Sequence, residues 1–134
     1  VSFSPAFTNF TLGNGTAVGR YAQQGEFTDV YVHVTLGNTS SMGTGPTMTL
    51  PVNANFASIN TGIGTALNGI ATFRDTSAPQ TAYGIIALSS ASSVEIRPYY
   101  SSGNYQVVAQ LSATAPFTWA TGDEFFITFS YHSV

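Results

Sequence analysis

The sequence predicts an all-β protein: a single antiparallel β-sandwich of about eight strands, jelly roll in topology, spanning residues 1–134. Three observations predict it. Turn residues recur at spacings of about 8–12, the rhythm of a sandwich or barrel. The runs between them alternate apolar and polar side chains at period 2. No segment sustains a helical period of 3.6 over a helix-length window. Composition agrees, since Val, Ile, Tyr, Phe and Thr fit strands and 13 Gly supply turns. The 134 residues fit one domain. A chain of this length buries roughly two-thirds of its unfolded surface and needs no staple.

The elements follow in order. Residues 3–10 open the series as a strand. Gly13-Asn14-Gly15 marks a hairpin-type turn, because Asn and Gly tolerate positive φ. A strand at 16–23 ends before Gly25. The clearest strand is 27–36. Thr28, Val30, Val32, Val34 and Leu36 fall on one face; Phe27, Asp29, Tyr31, His33 and Thr35 fall on the other. A strand with one buried face reads this way. Gly37-Asn38 closes it, and residues 43–46 read as another turn before a short strand at 47–50. After Gly62, strands are expected at 64–73 and 81–88. The Ser-rich run 89–93 turns the chain into Val94, Ile96 and Pro98 alternating with Glu95, Arg97 and Tyr99. Pro98 lacks the N–H of a ladder, so this run is expected at an edge or strand end. Gly103-Asn104 separates it from a strand at 106–113. Gly122-Asp123 precedes the closing strand 124–131, in which Phe125, Ile127, Phe129 and Tyr131 alternate with Phe126, Thr128, Ser130 and His132. An immunoglobulin-like sandwich is the competing fold, but the chain has no Cys for its Cys-Trp-Cys core.

Charge is scarce. Charged residues make up 7% of the chain, against about 25% in an average soluble domain. The cations are Arg20, Arg74 and Arg97, with no Lys. Phosphate binding needs clustered cations, so nucleic acid is excluded as a partner. No apolar run approaches the ~20 residues of a bilayer-spanning helix. The absence of Cys removes disulfide scaffolds and thiolate metal sites. A net charge of −3 leaves copies repelling one another weakly, which suits an assembly.

Catalytic patterns fail one by one. There is no Gly-x-Ser-x-Gly elbow. Gly13-Asn14-Gly15 and Gly62-Ile63-Gly64 lack the third Gly and the following helix of a nucleotide cradle. Asp123 and Glu124 are adjacent, so on a strand they point to opposite faces, whereas a glycosidase pair shares one cleft about 5–9.5 Å apart. Asp123 is expected to cap the turn after Gly122. Glu95 and Arg97 are expected to form a surface ion pair worth about 0–1 kcal/mol. His33 shares a strand face with Asp29 and Tyr31, which is too little for a metal site, and no acidic cluster offers the oxygens that Ca²⁺ needs. The expectation is a non-enzyme with no catalytic residue, metal or cofactor. Asn9, Asn14 and Asn38 head three N-glycosylation sequons, relevant only to a eukaryotic secreted protein.

The remaining chemistry is aromatic. Tyr99, Tyr100 and Tyr105 flank the loop that holds Asn104. Tyrosine at a loop tip offers amphipathic contact area at low entropic cost. Tyr99, Tyr100, Asn104 and Tyr105 are therefore the candidate ligand-binding residues, with a sugar ring or another protein as the partner. Trp119 is expected to be a packing anchor.

Several segments taken together carry a resemblance. They are Leu12-Gly13-Asn14-Gly15-Thr16, Gly19-Arg20-Tyr21 with Gly25, Thr35-Leu36-Gly37-Asn38-Thr39-Ser40, Leu50-Pro51-Val52, and Pro116-Phe117-Thr118-Trp119-Ala120-Thr121-Gly122-Asp123. In this order they resemble a β-rich module of tailed-bacteriophage virion proteins, found at the C-terminal ends of minor tail and tail-fibre proteins. The resemblance implies a virion surface protein that works by binding, as a homotrimer, without catalysis. Its implied partners are copies of itself, other virion proteins and host-surface carbohydrate. A fibre tip usually follows a shaft: as a complete chain the module is expected to sit on the capsid as a decoration protein, and as a fragment it is expected to be a fibre tip. A stand-alone carbohydrate-binding module is the alternative function.

Overall fold

The computed structural model describes residues 1–55 and 66–134. The turn at Gly62, the Gly62-Ile63-Gly64 reading and the start of the 64–73 strand lie outside the described residues. The described chain is all-β, with ten antiparallel strands and no helix. They are β1 (Ser2–Phe3), β2 (Phe7–Thr11), β3 (Thr16–Gln24), β4 (Phe27–Thr35), β5 (Ser41–Thr49), β6 (Asn68–Asp75), β7 (Gln80–Ser90), β8 (Ser93–Ser102), β9 (Tyr105–Val108) and β10 (Glu124–His132). The hydrogen-bonded order is β1-β3-β4-β10-β6-β7-β8-β5-β2, with β9 added to β8. This sheet curls over one core, giving a jelly-roll-like sandwich.

The alternation of β4 and β10 explains the centre of the fold. Val30, Val32 and Val34 point inward and are at most 2% exposed, as are Phe125, Ile127 and Phe129. β10 is bonded along its length to β4 on one side and β6 on the other, which sets Phe125 between Val34 and Phe73 and Ile127 between Val32 and Ala71. Burying one such side chain contributes about 1.5–3 kcal/mol. Met48, Ile86, Val94 and Ile96 supply the facing layer of the same cluster.

The two layers share a strand rather than being separate sheets. β7 pairs with β6 from Gln80 to Gly84 and with β8 from Gly84 to Ser90. The change of partner falls on Gly84, where an added Cβ would sit 2.1 Å from the Arg97 carbonyl oxygen. Only a residue without a side chain lets β8 approach this closely.

Four expectations about elements are corrected. The predicted strand 3–10 is broken into β1 and β2, and β2 carries a bulge at Asn9, whose φ is 59°. The extra residue places Phe7 and Phe10, three apart in sequence, against each other with ring centroids 5.2 Å apart. Residues 43–46 are not a turn but the middle of β5, where Gly45 has φ 60°. Residues 106–113 are not one strand, because β9 stops at Val108. Beyond it Ala109 donates to the Pro98 carbonyl and Gly45 donates to the Leu111 carbonyl, so the chain passes between β8 and β5. Pro98 lies inside β8 rather than at its end. A strand residue's nitrogen and carbonyl point the same way. The Pro98 carbonyl points to Ala109, so its missing N–H faces away from the β7 ladder.

Candidate functional site

Three of the segments that carry the resemblance, around Asn14, Asn38 and Asp123, meet at one end of the sandwich and bond to one another; Gly25 and Leu50-Pro51-Val52 lie at the other end, where the Tyr131 hydroxyl donates to the Val52 carbonyl. Gly15 N–H donates to the Leu12 carbonyl across the Gly13 turn (2.9 Å), with Gly13 at φ 57°. Asn14 Oδ1 accepts from the Thr39 N–H (3.1 Å) and hydroxyl (3.0 Å), and Asn14 Nδ2 donates to Asn38 Oδ1 (2.6 Å). Leu36 N–H donates to the Asp123 carbonyl and Gly122 N–H donates to the Leu36 carbonyl. These residues build turns, and the sequon nitrogen of Asn14 is committed to a partner.

Asp123 caps the last of these turns as expected, from a fully buried position. Its Oδ2 accepts from Ala120 N–H (2.7 Å) and its Oδ1 from Thr76 N–H (3.0 Å) and the Thr76 hydroxyl (3.2 Å). Glu124 points outward on the opposite face, where its Oε1 lies 3.2 Å from His33 Nε2. His33 also stacks on Phe126, with centroids 4.2 Å apart. Asp29 shares the outward face of β4 with His33 as expected and accepts from the Ser130 hydroxyl. Among the described residues no three His, Cys, Asp or Glu side chains converge. Trp119 packs against Phe73, Phe117 and Phe125, and its Nε1 donates to the Ala115 carbonyl. The expected Glu95–Arg97 pair forms, 2.9 Å apart, with the Arg97 side chain 38% exposed. Glu95 is 14% exposed, and its Oε1 and the Arg97 Nε are buried without hydrogen-bond partners.

Asp75 ends β6 by gathering the turn that follows. Its Oδ1 accepts from the Ser77 hydroxyl (2.8 Å) and from the N–H groups of Ser77 and Ala78, and its Oδ2 accepts from Gln80. The Ser77 hydroxyl, then the Ala78 N–H, hold this carboxyl below its ordinary value of 3.8. A depressed folded-state value means stability that is complete above 3.8 and lost as pH falls through the folded value. Urea midpoints measured from pH 5 downward are therefore expected to fall below 3.8, with a shallower acid slope in Asp75→Asn.

The four sequence-predicted site residues lie on the β8–β9 hairpin. β7 and β5 leave β8 by Pro98, so residues 99–102 pair only with β9. Gly103, at φ 62°, makes the two-residue turn with Asn104 at its tip. The register sets Tyr100 opposite Val107 and Ser102 opposite Tyr105. Tyr100 and Tyr105 thus share one face as diagonal neighbours, within reach of aromatic side chains. They are 52% and 77% exposed. Tyr99, opposite Val108, lies on the other face and is half-buried. The four residues do not form one cluster: the hairpin joins Tyr100, Tyr105 and the tip, and separates Tyr99.

At the hairpin's base lies a groove of about 470 Å³ lined by Pro98, Tyr99, Tyr100, Ala109, Gln110, Thr114, Ala115 and Pro116. From Pro98 to Pro116 the chain has no Asp, Glu, Lys, Arg or His. The groove offers tyrosine rings and neutral hydrogen-bonding groups. Gln110 was missed by sequence reading because it belongs to an irregular segment that only the passage beside β8 brings to the tyrosines. No family model, curated protein or solved structure matches this chain.

Proposed function

We propose that this chain is a non-enzymatic structural protein of a bacteriophage particle surface, a tail or fibre component or a capsid decoration, that works by binding. The observation that carries the reading is the uncharged end of the β8–β9 hairpin, from Pro98 onward, which presents Tyr100 and Tyr105 on one face of the sandwich. A sugar ring offers an apolar C–H face for stacking and hydroxyls for Asn104 and Gln110, so host-surface carbohydrate is the proposed ligand. The resemblance to phage tail modules supports the setting. Several copies on one particle raise avidity far above that of a single hairpin.

Two measurements test this. Gold-labelled antibody against the chain is expected to decorate intact phage particles at the capsid or the tail. On a glycan array, particles are expected to bind a neutral glycan, and Tyr100→Ala/Tyr105→Ala is expected to weaken that binding about tenfold or more, since each aromatic stack contributes roughly 0.5–1.5 kcal/mol beyond its buried area. Unlabelled particles, with tight glycan binding by the isolated monomer, would replace this reading by that of a free-standing carbohydrate-binding module.

A further inference from the structure

The outward face of β3-β4-β10-β6-β7 has the composition of a contact surface. Pairing register aligns its residues across the strands. One row runs Val18, His33, Phe126, Thr72, Tyr83, and the next runs Arg20, Tyr31, Thr128, Ile70. Solvent-facing sheet faces are ordinarily polar. Here Val18, Tyr31, Ile70 and Tyr83 are each 42–52% exposed, with the His33–Phe126 stack between them. The flanking rows are polar but for Ala22: Thr16, Thr35, Glu124, Arg74 and Thr81 on one side, and Ala22, Asp29, Ser130 and Asn68 on the other. An apolar centre inside a polar rim is the anatomy of a protein interface, and tyrosines are its usual anchors.

We infer that this face docks a second copy of the chain, the same face of each copy meeting sheet to sheet. Area favours that occupant. Five strands about 4.8 Å apart and about nine residues long at ~3.4 Å per residue span on the order of 700 Å², close to the ~800 Å² per partner of a standard interface. Charge favours it as well. The rim carboxylates have partners within the chain: Glu124 with His33, Asp29 with Ser130, and Glu26 with His132 at 3.0 Å. Arg74 stands in the same row as Glu124, and Arg20 in the row beside that of Asp29, so the face carries both signs around an aromatic centre, and its own copy supplies both. A self-complementary patch is isologous and closes at two copies. The inference stands independently of the virion reading.

The test is the mass of the purified full chain by sedimentation equilibrium across a concentration series. The expected result is a reversible pair of chains, with Ile70→Arg and Tyr83→Asp each weakening the pairing at least tenfold while circular dichroism and melting temperature are retained. The Tyr100→Ala/Tyr105→Ala variant is expected to pair as the parent does. Since the chain has no Cys, Thr128→Cys provides a second measurement. Maleimide labelling of this central position is expected to slow at concentrations where pairs form. A monomer at every concentration, a three-chain mass, pairing unchanged by both face substitutions, or labelling that ignores concentration overturns the inference. Particle labelling by antibody is a separate measurement, so failure here and failure of the virion reading are told apart.

Discussion

Phe125→Ala is expected to cost about 3–5 kcal/mol of folding stability, the range for deleting a buried aromatic ring. The reason is its position between the two ends of the curled sheet. β10 stands fourth in the strand order and β2 last. Phe125 nonetheless meets Phe10 and Phe7 of β2 edge to face, with centroids 5.7 and 6.1 Å apart, and meets Trp119 at 6.1 Å. The ring is 1% exposed. Truncation leaves a cavity where three aromatic contacts converge, and the bulged β2 loses the partner that holds it over the core. Urea unfolding followed by Trp119 fluorescence checks this. A loss under about 1 kcal/mol would show that the cavity collapses and that other contacts close the sandwich.

Asp123→Ala is expected to cost about 3 kcal/mol, because hydrogen bonds to a charged acceptor contribute roughly 1.5–3 kcal/mol each and removing the acceptor leaves buried donors unpaired. The donors are the N–H groups of Ala120 and Thr76, which belong to segments 44 residues apart in sequence. The carboxylate thus ties the turn before β10 to the turn after β6. Asp123→Asn retains one acceptor oxygen and is expected to lose less. The same denaturation series measures both, and equal stability in Asp123→Ala and the parent would show that the turns hold without their shared acceptor.

Much of the fold was legible where local sterics decide. Successive strand side chains point to opposite faces whatever lies beside them, so the inward sets of β4 and β10 follow from spelling alone. Asp123 and Trp119 were likewise legible, as a turn cap and a packing ring. The misses occur where another strand decides. Nothing local announces the bulge at Asn9, because its role is to bring Phe7 and Phe10 to one side of a core built by β10. Gly43 and Gly45 read as turn residues, and β5 holds them in a strand because β2 packs closely there; a Cβ on Gly43 would lie 2.5 Å from the Asn9 carbonyl oxygen. Pro98 read as a strand end, and its orientation toward Ala109 lets β8 continue.

The candidate site divides in the same way. The chemistry of the hairpin, tyrosines around a Gly-Asn turn without charge, was written in consecutive residues. That Tyr100 and Tyr105 share a face while Tyr99 does not depends on the pairing register of β8 with β9. The aromatic outer face is further from sequence still. Val18, Tyr31, Ile70, Tyr83 and the half-buried Phe126 come from five strands scattered from β3 to β10, and each alone is an ordinary side chain of an outward strand face. By itself the sequence determined the all-β class, the inward sets of its strands and the charge-poor chemistry, because these follow from single side chains and their nearest neighbours along the chain. Strand order, the shared strand β7 and the two exposed aromatic surfaces were decided only by tertiary structure, because hydrogen-bond register between distant segments selects which side chains become neighbours.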